Sequence, residues 1–281
     1  MRSFYFGLTF SAIMAFLSGQ ARTQTTFSYF IKTSGNRPYG IAFDGRGAMY
    51  MVTAPETGDG TLSLVTPDGK VTNLATLAGT FIGPGLTVDE SGNALVAVGD
   101  KLLKVTHDGT ITTIADGFRR CLDVKLDRSG NIYVADDGKK VIYKIMPEGE
   151  KKIFYSSNDT DNLALSAICI DHDQNNLYVR DGNKLLRVSL DSKAIPQKAD
   201  LVLEYSGMFY MCLDSNNNIY VSTLSNVIEI DSADNTKILS STNLNTAIGL
   251  ATGGDGFNKQ IVYVTVGDGI IELSMTGRPK N

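Results

Sequence analysis

The chain has 281 residues, of which 42% are hydrophobic and 20% charged, and its formal net charge is -4. This is the make-up of a folded globular protein rather than a disordered one. A net-negative chain lacks the basic field that phosphate neutralisation needs, so a general nucleic-acid partner is excluded.

The first segment reads as a targeting signal. Arg2 precedes an apolar stretch over residues 4–17, followed by Gly19-Gln-Ala21. A positive start, a short apolar core and a small-x-small site predict a secretory signal peptide over 1–21, cleaved after Ala21. The apolar run is shorter than the ~20 residues of a spanning helix. No later segment is apolar enough to span, and no membrane span is expected after cleavage. The expected location is the extracellular space or a periplasm, with residues 22–281 forming a single domain. The sequence carries three cysteines, an odd number, and they are expected to be buried thiols without a bridge. Asn158-Asp-Thr160 is a glycosylation sequon.

A lone strand, Thr26–Lys32, comes next, and then a repeated phrase. Its fullest form is Val-Lys-Leu-Asp127-Arg-Ser-Gly130-Asn-Ile-Tyr133-Val-Ala-Asp136. Near-copies are centred on Asp44, Asp89, Asp171 and Asp214, and a degenerate sixth ends in Gln260-Ile-Val-Tyr263-Val. The five Asp residues are separated by 45, 38, 44 and 43 positions. Each unit reads as four short strands joined by Asp/Gly turns. In the third unit these are 122–126, 131–135, 141–145 and 151–155. That period and content predict an all-β, six-bladed propeller of four-stranded antiparallel blades. The sixth unit runs out after its third strand. The lone strand at about 26–32 is therefore expected to complete the last blade and close the ring.

Arg37-Pro-Tyr-Gly-Ile-Ala-Phe-Asp44, Thr66-Pro-Asp-Gly69-Lys-Val-Thr and Gly130-Asn-Ile-Tyr-Val-Ala-Asp136 resemble the NHL repeat. They also resemble the gluconolactonase (senescence-marker-protein) superfamily of six-bladed propellers. The resemblance covers about residues 37–275. It implies the fold but not one function, since that superfamily holds lactonases, lyases and non-catalytic binding domains. Its calcium-dependent lactonases carry oxygen ligands where the innermost strands begin. The matching slot, two residues before the strand's first large apolar residue, holds Tyr39, Pro84, Leu122, Ser166, Phe209 and Thr246. None is a carboxylate, and no metal or other cofactor is expected; Asp123 lies one place off, on the opposite strand face. The streptogramin-lyase branch implies Trp in the second strand and a His near the axis. This chain has no Trp, and repeat alignment puts His107 and His172 in turns on the opposite face.

What remains gathers where strands begin. The binding candidates are Tyr39, Arg119, Arg120, Arg180, Phe209 and Tyr210, since aromatic and Arg side chains suit a polar ligand or a peptide loop. The expected role is a secreted or periplasmic binding module, a monomer that takes a protein, glycan or small molecule at the channel mouth. The alternative is a divergent gluconolactonase-like hydrolase or streptogramin-lyase-like enzyme acting on a lactone or ester. Asp123, Asp136 or Asp181 would then serve as base or metal ligand, and calcium or another divalent metal would be needed.

Overall fold

A computed structural model describes residues 28–275, apart from 34, 57, 80–82, 84, 160–164, 191–198, 240–243 and 245–246. The expected signal peptide lies outside the described residues, as do Pro84, Thr160 and Thr246.

Each repeat becomes one four-stranded antiparallel sheet, and there are six. The first five blades span residues 37–77, 86–115, 121–156, 168–204 and 208–238. Within each, the strands pair in sequence order from the inside outward. The sixth is assembled from both ends of the chain. Leu250–Thr252, Ile261–Val266 and Gly269–Ser274 supply three strands, and Ser28–Lys32 pairs antiparallel with Gly269–Ser274 as the fourth. The ring closes as the repeat count predicted.

The repeated phrase folds by local hydrogen bonding. Asp127 accepts from the amides of Ser129 and Asn131, each at 2.9 Å. Its second oxygen accepts from the Asn131 side chain at 2.8 Å and the Tyr133 hydroxyl at 3.2 Å. Asp89 and Asp214 repeat the two amide bonds. The turn needs a left-handed residue three places after the Asp. Glycine fills that place at Gly47, Gly92 and Gly130, all with positive φ. Gln174 and Asn217 adopt it too, at φ 60° and 63°. For side-chain-bearing residues this costs about 1–2 kcal/mol. Both answer it with a bond to the preceding blade: Gln174 accepts from the Arg128 amide at 3.0 Å and Asn217 from the His172 amide at 2.9 Å.

The core lies between blades, because each sheet has two apolar faces and must bury both. Second strands such as Met49–Ala54 and Ile261–Val266 are buried throughout. The outermost strands are half-exposed, and in five blades their pairing carries a bulge. Such irregularity blunts an edge against pairing with another chain. All three cysteines are free; Cys121 and Cys169 are buried.

The seam between the last and first blades is the most aromatic part of the ring. Phe30 of the closing strand, Phe43 of the first blade, and Phe257 and Tyr263 of the last pack edge to face, with centroids 4.8–5.8 Å apart. Each such pair contributes about 0.5–1.5 kcal/mol beyond its burial. Deleting residues 25–33 removes Phe30 and an entire strand. We expect the melting temperature, followed by circular dichroism, to fall by roughly 10 °C or more. An unchanged melt would mean that the ring is fastened elsewhere.

Candidate functional site

The six innermost strands begin on one face of the disc, and pairing with the second strands fixes which positions are equivalent. Ile41, Leu86, Val124, Ile168, Met211 and Leu250 all pair with the same second-strand position. Two places earlier stand Tyr39, Leu122, Ser166, Phe209 and, in the sixth blade, Ile248. The sixth blade thus departs from the sequence expectation, which put Thr246 there. That blade has no Asp at the repeat's turn position to set its phase, and Ile248 lies two residues ahead of the paired strand. Its amide instead bonds the Thr265 carbonyl at 3.1 Å.

One place before the paired residue, the blades carry Gly40, Gly85, Asp123, Ala167, Tyr210 and Gly249. Small residues are required in at least two of them. A Cβ on Gly85 would lie 2.9 Å from the Leu122 carbonyl oxygen, and one on Gly249 would lie 2.4 Å from that of Tyr39. The position therefore faces the next blade's inner strand. Asp123 follows this rule and reaches the fourth blade, accepting from the Ile168 amide at 2.8 Å. Tyr210 does not; its strand, like those of Gly40 and Asp123, carries a one-residue register shift just here, and Tyr210 falls within it, between paired Met208 and Met211. Its hydroxyl donates to Asp123. The third and fifth blades are not neighbours, so this bond passes the inner strand of the fourth along the channel wall.

Lys125, two residues beyond Asp123 on the same strand face, completes the cluster. Its ammonium is 2.8 Å from Asp123 Oδ1 and 3.3 Å from the Tyr210 hydroxyl. It also lies 5.2 Å from the centre of that ring. The Val124 amide donates to Asp123 as well, at 2.8 Å. Burial pushes the Asp123 carboxyl up, against the pull of the ammonium and the hydrogen bonds. Burial, and then the carboxylate beside it, raise the Tyr210 phenol well above its usual range. Lys125 was missed by sequence reasoning; the i, i+2 spacing to Asp123 on a strand was its only signal.

The other candidates hold the wall around this cluster. Asp136 accepts from the backbone amides of Arg119 and Arg120 at 3.0 and 2.9 Å, pinning the loop that leads into the third blade. The Arg120 side chain pairs with buried Asp137, which also binds Lys140 at 3.0 Å and the Leu165 amide at 3.1 Å. Burial works to raise Asp137, but these partners outweigh it and its pKa is lowered. Arg119 is exposed. Asp181 accepts from Tyr155 at 2.6 Å and from Ser157. Arg180 is buried and donates to Ser166 at 2.7 Å; Ser166 donates onward to the Phe209 carbonyl at 3.0 Å. Asp123 and Tyr210 are thus brought together, whereas Asp136, Asp181 and Arg180 each serve a separate wall contact. His107 and His172 are both exposed in turns at the far end of the blades.

Tyr39 belongs elsewhere on the same face. With Arg37, Glu56, Tyr29 and Asp268 it lines a cleft of about 620 Å³ between the first and last blades. The cleft has an apolar floor of Ala54, Leu244, Val266 and Ile271.

No family model matches the chain, and no curated protein is similar to it in sequence. Solved structures with the same fold are numerous. A gluconolactonase from Xanthomonas campestris superposes with a TM-score of 0.74 at 16% identity, covering 89% of each chain. A luciferin-regenerating enzyme gives 0.70 at 16% identity, over 89% of this chain and 95% of that one. A virginiamycin B lyase from Staphylococcus aureus gives 0.63 at 12% identity, over 89% and 99%. At such identities the likeness is one of fold, the six-bladed propeller of gluconolactonase-like and streptogramin-lyase-like proteins. The hard divalent cation that the lactonase resemblance implies needs several oxygen donors. Tyr39, Leu122, Ser166, Phe209 and Ile248 do not supply such a set. Among the described residues no group of three or more His, Cys, Asp and Glu gathers to hold a metal.

The cluster makes a pH-dependent prediction. Lys125→Met leaves Asp123 buried without its cation, a loss of roughly 3 kcal/mol at neutral pH. The folded-state pKa of Asp123, already raised, then rises further. The folded variant holds a proton that the unfolded chain has released, so its deficit grows as pH rises through that pKa and shrinks below it. Urea unfolding of both proteins should therefore show a smaller difference at about pH 5 than at about pH 7. A difference independent of pH would count against the pairing.

Proposed function

We propose that the protein is a binding propeller, exported to the periplasm or the cell exterior, that takes its ligand on the strand-start face without metal-dependent catalysis. One observation carries this reading. Asp123, the carboxylate beside the channel wall, is already engaged by the Lys125 ammonium, the Tyr210 hydroxyl and two backbone amides. A general base or metal ligand must offer an oxygen to substrate or cation, and here both oxygens have partners. The cleft at the seam, by contrast, combines an apolar floor with charged and aromatic walls, the make-up of a small-molecule site.

The second reading is a lactone or ester hydrolase, or a lyase, using Asp123, Asp136 or Asp181. It draws support from the activities named for the structural neighbours, a gluconolactonase and a virginiamycin B lyase. That support passes through fold alone.

Elemental analysis of the purified protein separates the two, together with melting curves in calcium and in chelator. The binding reading expects no stoichiometric divalent metal, the same melting temperature in both, and no hydrolysis of gluconolactone. A bound metal whose removal lowers the melt and abolishes turnover would establish the enzyme instead. Export is tested separately. The N-terminus of protein recovered from the periplasm or medium should begin at Arg22, and protein retained in the cytoplasm with Met1 intact would refute it.

A further inference from the structure

We propose that a second cleft, between the third and fourth blades on the face opposite the strand starts, binds an acidic sugar. Lys144 and Arg128 receive its anionic group, and the side chains of Asn131, Asn175 and Asn176 receive its hydroxyls. The site is separate from the strand-start face and goes beyond the function proposed for that face.

The charge of Lys144 is the first observation. Its place on the third strand is charged in four consecutive blades, as Lys104, Lys144, Arg187 and Glu229. Three of these charges are met within the protein. Lys104 lies 3.2 Å from Asp89, Arg187 3.1 Å from Asp234 and Glu229 3.8 Å from Lys237. Lys144 pairs with no acid among the described residues. The difference lies in one side chain. In the second blade the residue opposite the lysine is Leu95, and the turn carboxylate of Asp89 is open to Lys104. In the third blade that residue is Tyr133, and its hydroxyl donates to Asp127 at 3.2 Å. Asp127 then has four donors: two amides, the Asn131 side chain and that hydroxyl. The Lys144 ammonium is left 5.4 Å from the centre of the Tyr133 ring.

The cleft itself is the second. Asp127, Tyr133 and Lys144 line one side of a cavity of about 580 Å³, and Gln174, Asn176 and Leu190 line the other. That volume lies within the range of small-ligand sites. Arg128 lines it too. Its backbone amide binds Gln174, whereas its guanidinium is exposed and bonds to no described residue. Two cations thus stand beside one carboxylate that four donors already satisfy, so the cleft favours an anion. A guanidinium fork and an ammonium both suit a carboxylate or a sulfate. Leu190 is the one aliphatic side chain in the lining, so an apolar body gains little there. Amides take its place. Asn131 and Asn176 each donate through nitrogen to a turn carboxylate, at 2.8 and 2.7 Å, which leaves their side-chain oxygens to accept from hydroxyls. The Asn175 side chain is exposed and has no bond within the described residues. An anion without hydroxyls would leave these amides unanswered, and a neutral sugar would leave the cations so.

Calorimetric titration of the mature chain at low ionic strength tests the assignment with four probes: digalacturonate, its dimethyl ester, 6-sulfated galactobiose and inorganic sulfate. We expect saturable binding of at least one of the two acidic sugars, and about tenfold weaker binding of the ester and of inorganic sulfate. The tighter of the two acidic sugars tells a carboxylate from a sulfate ester. Lys144→Gln should weaken that sugar about tenfold, and Lys144→Arg should retain it. Asn175→Ala should weaken the sugar and spare inorganic sulfate. Arg128 is exposed, so Arg128→Gln should keep the parent's melting temperature and carry the charge test even if the Lys144 variants do not fold. An ester that binds as tightly as the acid would overturn the anionic group. Inorganic sulfate that binds as tightly as the sugars, with Asn175→Ala without effect, would overturn the sugar. Binding indifferent to Lys144→Gln and Arg128→Gln, or no saturable binding by any probe, would overturn the site itself.

Discussion

The closure of the ring is the constraint on which the rest of the molecule depends. A four-stranded blade with two apolar faces cannot bury both by itself, so each blade is stable only between neighbours. Five of those junctions are made by consecutive stretches of chain. The sixth joins the two ends, and its closing strand, Ser28–Lys32, is held by pairing with Gly269–Ser274 and by Phe30 in the aromatic group. The candidate cleft sits on the opposite face of this junction, with Tyr29 and Asp268 on one side and Arg37, Tyr39 and Glu56 on the other. A ligand there touches both ends of the chain at once. Occupancy must then favour the closed ring, in proportion to its affinity for the closed form over the open one.

The repeat was legible because its hydrogen bonds are local. Asp127 binds amides two and four residues ahead, so the whole turn is written in five consecutive letters. Gln174 and Asn217 break the glycine rule, yet the Asp before them and the Tyr after them kept their units recognisable. Their compensation, a hydrogen bond to the preceding blade, joins residues 46 and 45 positions apart and could not be read from either unit alone. The sixth blade is less legible. Without an Asp at the repeat's turn position, only the first large apolar residue, Ile248, marks its phase, and that mark falls two residues early.

The site was less legible for the same reason. The Tyr210–Asp123 bond spans 87 residues and joins two strands that each carry a register shift at their start. Periodicity predicts a face, and a bulge is a departure from periodicity. Arg119, Arg120 and Arg180 stood out because the repeat does not require them, but being unrequired does not separate a ligand contact from a wall contact. The Arg120 side chain is taken by Asp137, and Arg180 continues a relay through Ser166 to the next blade.

The axial cluster and the cleft differ in how their charges are met, and this bears on which kind of chemistry the fold can host. Beside the axis, the Lys125 ammonium lies 2.8 Å from the Asp123 carboxylate and meets its charge within the protein. Removing that carboxylate from water is tolerable only because the ammonium and three further hydrogen bonds replace its hydration. A substrate could recruit Asp123 only by displacing one of these donors, at the cost of leaving buried polar groups unpaired. At the rim the burden runs the other way. Glu56 is exposed, and its carboxylate keeps its water. The charge of Asp123 is thus answered from within the protein, whereas that of Glu56 is answered by solvent.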